Sequence, residues 1–207
     1  MFHIPTWRKF MLLFLTQIVF AETREFSFSE TTGNLFVKVY KAETLGSALA
    51  HNHAIGAKNW KGSAQINTND LSKCSFSFSV PVNDLEVDSV KFRKLAGIAD
   101  QGQPSDSERK DIRANMLAED QLNAKKFDTI FFKSTTCAKD TIKGNFTLRG
   151  KTNDVSIPVK MDVGEKVSIK GQFDIKSTDY GFNAYSIMFG QIANQETMTI
   201  VFDIKSE

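Results

Sequence analysis

The chain has few of the residues and motifs from which chemistry is usually read. Its 207 residues include two cysteines and three histidines. There is no G-x-S-x-G elbow, no H-E-x-x-H pair and no glycine-rich phosphate loop, so the signatures of serine hydrolases, zinc proteases and nucleotide binders are missing. A triad of Ser47, His51 or His53 and a distant aspartate can be drawn on paper, but serines and aspartates are common enough here for chance to supply one. No basic stripe or arginine cluster stands out, which argues against nucleic acid as a partner. Internal repeats and low-complexity segments are also absent.

Only one long apolar run occurs, Phe10 to Phe20, and it is too short to span a bilayer. It follows Arg8 and Lys9 and ends at Val19-Phe20-Ala21. That pattern predicts a signal peptide over 1–21, cleaved after Ala21, with an uncleaved N-terminal anchor as the alternative. No cysteine follows the run directly, which argues against a lipid-anchored form. The expectation is an exported protein, periplasmic or extracellular, with one domain over 22–207. Without Arg8 and Lys9 the Lys+Arg count drops from 26 to 24 and matches the 24 Asp+Glu, so the mature formal charge is zero. In an oxidising compartment Cys74 and Cys137 either form a disulfide or remain two buried thiols on different strands. Sequence does not show whether their Cα atoms approach closely enough.

What the sequence does contain is alternation. In Lys143–Met161, Gly144, Phe146 and Leu148 share one parity, and Val155, Ile157, Val159 and Met161 share another after a polar turn, Gly150–Asp154. Period two over such lengths predicts half-buried antiparallel strands, here a hairpin. Similar runs fall at Glu25–Ser29, Leu35–Lys41, Ser47–Ala57, Trp60–Asn67, Lys73–Val82, Asp128–Ser134, Val167–Lys176 and Thr197–Lys205. Two helical stretches interrupt them. Val90–Gly97 has apolar residues at helical spacing, and Ser105-Asp106-Ser107-Glu108 reads as a capping box opening a helix through about Ala118. Short connections favour an antiparallel meander closed into a barrel.

Three segments together resemble the YceI family of exported, lipocalin-like proteins. Arg109–Ser134 is similar to the family's helix and following aromatic strand, matched at Phe127, Ile130, Phe132 and Ser134, with Asp128 where proline is usual. The hairpin is matched at Gly144, Thr147, Leu148, Gly150, Thr152 and Val155. Gly171–Asn183 is matched at Phe173, Ile175, Asp179, Tyr180 and Gly181. The resemblance implies an all-β fold, an extended antiparallel eight-stranded lipocalin-like barrel with a helical insertion. It also implies an apolar cavity that takes a long isoprenoid or similar amphiphile. Ser89–Ser107 looks longer than the family's usual link, and could be a lid or a plain connector.

The residues agree with such a cavity in their own right. Phenylalanine is abundant, 18 of 207 residues, and Phe76, Phe78, Phe132, Phe146, Phe173 and Phe202 sit on the apolar parity of their strands. Leu148 and Ile175 share parity with Phe146 and Phe173. Rings of this kind give walls that suit a hydrocarbon tail, or they simply fill the core. His51 and His53 stand two apart in the expected strand, so both would face one side, together with Leu49 and Ile55. They could chelate a metal, although zinc takes three or four ligands and no third is nominated, or they could hold a polar head group by hydrogen bonds. Arg109 and Arg113 are expected to form surface ion pairs rather than a head-group clamp.

The sequence therefore predicts a non-enzymatic lipid-binding barrel with no certain cofactor, a bound isoprenoid lipid as the candidate, and an amphiphilic lipid as partner. Its rival is a metal-binding or redox-active barrel built on His51 and His53. Exchange of ligand at a membrane surface and homodimerisation both fit, and the sequence does not decide either.

Overall fold

Alternation becomes strand in most of the predicted runs. A computed structural model describes residues 23–207, and the expected signal peptide lies outside them. The elements are β1 (Thr23–Ser29), β2 (Gly33–Lys41), β3 (His53–Ala57), β4 (Lys61–Asn67), β5 (Ser75–Pro81), β6 (Leu85–Val87), α1 (Val90–Ala96), α2 (Asp106–Leu117), β7 (Thr129–Cys137), β8 (Thr141–Leu148), β9 (Lys151–Val163), β10 (Val167–Lys176), β11 (Ser186–Ile187) and β12 (Ile192–Lys205).

The strand count exceeds the expected eight because strands bend. β1 pairs with β4 while β2 pairs with β3, so these four are two bent arms lying side by side. β5 and β6 form a third bent arm, pairing with β4 and β3 in turn. β11 is a two-residue spur on β12. Followed through the bends, eight antiparallel arms remain. β7, β8, β9, β10 and β12 continue the meander, and β12 pairs back onto β2. The free edge of β1 meets the end of the chain, where Glu207 N–H donates to Ser27 O at 2.9 Å. Pairing around the curl leaves little exposed strand edge.

Local chemistry explains the bends and the seams. Pro81 ends β5, and the 3-10 turn Val82–Asp84 redirects the chain into β6. The β8–β9 hairpin turns on Arg149 and Gly150 alone, both with positive φ (52° and 72°), the geometry of a two-residue primed turn. Its turn is thus shorter than Gly150–Asp154, and Lys151–Asp154 already pair with β8. The β9–β10 ladder stops at Val159↔Gly171, one residue short of Pro158. Proline has no N–H to donate there, so the two strands part beyond it.

The parity prediction holds in the hairpin. Ile142, Phe146 and Leu148 of β8 and Ile157, Val159 and Met161 of β9 are buried in alternation. It fails at Ser47–Ala57. Ser47–Leu49 is a 3-10 turn, Leu49 is exposed, and strand begins only at His53. The small residues Gly46, Ser47, Ala48 and Ala50 give no apolar face for a sheet to bury, so loop geometry wins.

Helix α1 is neither a lid nor a loose connector. It lies outside the barrel wall, with Phe92 seated on Gly56 of β3, where any Cβ would run into the ring. Phe36, Ala54, Ala96 and Ile98 complete this small external core. Gly97 ends the helix in left-handed geometry (φ 75°), and Ile98 N–H returns to Arg93 O at 3.0 Å. Helix α2 opens with the expected capping box, Ser105 Oγ accepting from Glu108 N–H and Glu108 accepting from Ser105 N–H.

Cys74 and Cys137 are joined in a disulfide, with Cα atoms 5.8 Å apart. The bond fastens the turn before β5 to the end of its neighbour β7. By loop-closure entropy, a crosslink over 63 residues stabilises by roughly 4 kcal/mol. Replacing both cysteines by serine should lower the unfolding free energy by about 2–4 kcal/mol, read as a lower urea midpoint with a larger m-value, because the unfolded chain without its crosslink exposes more surface.

Candidate functional site: a two-chambered barrel interior

The inward parity of eight arms delivers one apolar bore, and bulky rings divide it. A lower chamber of about 80 Å³ is bounded by side chains including Trp60, Phe76, Phe78, Phe132, Phe173 and Phe202. An upper chamber of about 180 Å³ is bounded by His53, Ile55, Leu148, Ile175, Ser177 and Tyr185, among others. Ile130, Phe146 and Ile200 border both and form the neck between them. Phe146 is locked edge-on against Phe173 and Tyr180, each with ring centroids 5.7 Å away. Both spaces are smaller than the roughly 300–1,000 Å³ of a typical ligand pocket, so the rings fill much of the bore.

The predicted site residues sort cleanly between the chambers. Phe76, Phe78, Phe132, Phe173 and Phe202 border the lower one, Leu148 and Ile175 the upper one, and Phe146 both. His53 borders the upper chamber, but His51 does not. It lies in the exposed loop before β3 and borders neither chamber. The two imidazoles therefore do not share a strand face, because the strand that would have aligned them begins only at His53. Among the described residues no group of three or more His, Cys, Asp or Glu is placed to hold a metal ion.

Polarity is segregated along the bore. Every side chain bordering the lower chamber is apolar except for the indole N–H of Trp60, which is buried without a partner. The upper chamber adds His53, Asn115, Gln121, Ser177, Tyr185, Asn194 and Gln195, and no Asp, Glu, Lys or Arg borders it. Ser177 is 1% exposed and its hydroxyl also has no partner. Helix α2 roofs this end with Ile112 and Met116, and Asn115 Nδ2 donates to the Tyr185 hydroxyl at 3.1 Å. Arg109 pairs with Asp106 at 2.5 Å, and Arg113 donates to Asn83 O at 2.6 Å, so neither arginine serves as a head-group clamp.

His53 is held by a group that sequence patterns did not single out. Its Nδ1 lies 2.7 Å from Oδ2 of Asp88, a carboxylate with no exposed surface. The other oxygen of Asp88 accepts from Ala54 N–H at 2.8 Å and from Arg93 Nη1 at 3.2 Å. Arg93 is also buried and reaches the carbonyls of Asn52, Ile98 and Gly102. Burial pushes the Asp88 carboxyl towards its neutral form. The hydrogen bond and charge of His53, the Ala54 N–H and Arg93 outweigh it and hold its pKa below the usual carboxylate value. With Asp88 ionised, Nδ1 is the donor, and a neutral His53 presents Nε2 as an acceptor. Asp88 could not be found from spacing, because its partners come from β3, from α1 and from the loop after it.

The fold and interior define a closed antiparallel barrel with a largely apolar bore, the lipocalin-like class of ligand-holding scaffold. The chain belongs to the YceI-like domain family, whose model matches residues 18–206. Among solved structures it is similar to BcnA of Burkholderia cenocepacia, with 14% identity and a TM-score of 0.59 over 84% of this chain and 96% of that one. It is also similar to the YceI protein of Campylobacter jejuni, with 12% identity and a TM-score of 0.50 over 74% and 84%. No curated protein matches in sequence.

Replacing Asp88 with Asn leaves the Arg93 charge buried without a counter-charge and should cost about 3–5 kcal/mol. Because the folded-state pKa of Asp88 is lowered, its stabilising contribution is complete above the ordinary carboxylate pKa and is lost as pH falls through the folded value. Wild-type stability should therefore decline below about pH 4. In Asp88→Asn that part of the decline should be missing, as urea unfolding at stepped pH would record.

Proposed function

We propose that this protein is an exported, non-catalytic carrier or sequestering protein that holds one long isoprenoid or similar amphiphile in its barrel. The observation that carries this reading is the segregation of polarity. Once side chains move to widen the bore, the aromatic lower chamber offers a lining for a tail, and His53, Ser177 and the amides of the upper one offer partners for a head group. Each tail methylene moved out of water contributes roughly 0.8 kcal/mol, so a long tail supplies ample affinity without any ion pair. An upper lining without Lys or Arg favours an uncharged, hydrogen-bonding head such as a hydroxyl or carbonyl over a diphosphate, whose burial would need cations. The disulfide suits an oxidising compartment and so supports export.

A tail long enough to occupy both chambers must turn the Phe146 ring out of the neck. Trp60, the only tryptophan in residues 22–207, borders the lower chamber and reports on its occupancy. Native mass spectrometry of the mature protein, followed by organic extraction, should reveal a co-purifying amphiphile. Adding it back to delipidated protein should shift Trp60 emission. Phe173→Asp puts a charge on a half-buried position of the lower chamber, against the neck ring Phe146, and should reduce uptake at least tenfold while the barrel stays folded. Unchanged uptake by the folded variant would overturn the assignment.

A further inference from the structure

The end of the barrel beside the upper chamber carries an apolar surface that the fold does not use. Two loops meet there, 44–50 between β2 and β3 and 183–195 around β11. Backbone bonds zip them together, with Gly46 N–H to Gln191 O at 3.1 Å and Ala42 N–H to Ala193 O at 2.8 Å. The Thr44 hydroxyl also donates to Gln191 O. Five large apolar side chains project from this joint tip. Leu45 is 98% exposed, Leu49 68%, Ile187 42%, Met188 57% and Phe189 108%. Met188 and Phe189 both hold positive φ, 51° and 56°, so the turn presents them outward in a backbone region that such side chains rarely adopt.

Charge is missing as well. Neither 44–50 nor 183–195 contains a single Asp, Glu, Lys or Arg, in a chain that is 24% charged. A solvated loop has no reason to avoid charge so completely, whereas a segment that enters a low-dielectric layer must. The tip is also continuous with the chamber mouth, since Tyr185, Asn194 and Gln195 at its root border the upper chamber.

We propose that this tip docks on a lipid bilayer, seating Leu45, Leu49, Met188 and Phe189 among the acyl chains and holding the chamber mouth against the membrane surface. The mode is interfacial insertion of an apolar tip and not attraction to anionic head groups. Its purpose rests on the carrier reading above, because a tail insoluble in water would then pass between bilayer and barrel without crossing solvent. The docking itself does not require that reading.

The test is flotation of the mature protein with phosphatidylcholine vesicles, with and without phosphatidylglycerol, at low and high salt. The expected result is association with both compositions that persists at high salt. Leu45→Ser, Leu49→Ser and Phe189→Ser combined should lower the partition at least tenfold, with thermal midpoint unchanged. Absence of wild-type association, or association kept by the triple variant, would overturn the proposal. So would binding only to anionic vesicles at low salt, or self-association in solution that the triple variant abolishes. Vesicle association by protein that never yields an extractable ligand would support the docking surface and overturn the carrier reading instead.

Discussion

One buried carboxylate organises the polar end of this barrel. Asp88 has no exposed surface, and an ion in that position is tolerable only if its neighbours satisfy it. They come from three places: the Ala54 amide and His53 ring on β3, the Arg93 guanidinium on α1, and, at its main-chain carbonyl, Gln103 in the loop beyond. Arg93 in turn gathers the carbonyls of Asn52, Ile98 and Gly102. Helix α1, its following loop and the start of β3 are fixed as one unit as a result. The orientation of His53 at the upper chamber follows from the same requirement.

The rest of the interior works by the opposite rule, with almost no polarity to satisfy. Phenylalanine gives large apolar walls without hydrogen-bond demands, and eight closed arms aim it inward. The outcome is a bore that is nearly full, narrowed at Phe146 and pinned there by two edge-on aromatic contacts. The wall is interrupted where β9 and β10 part beyond Pro158, whose missing N–H ends the ladder, and again between Asn194 and Met198 in the β12–β2 pair.

Strand existence was legible because period two is a direct imprint of a sheet with one buried face. The capping box at Ser105 was legible for a similar reason, since it is local. The extent of β3 was not. His51 and His53 alternate as strand residues do, yet Gly46–Ala50 offers no apolar face, and a 3-10 turn and loop took the first half of the segment. Asp88 was invisible because its role depends on partners brought together by folding.

The sequence by itself determined which side chains could face inward, and hence an apolar barrel. Alternation and composition act over a few residues and need no distant partner. Only the tertiary structure decided that the bore is two chambers, that His53 and not His51 borders one of them, and that the cysteines meet. Those outcomes depend on where bends, strand ends and closures bring distant residues, and no local pattern records that.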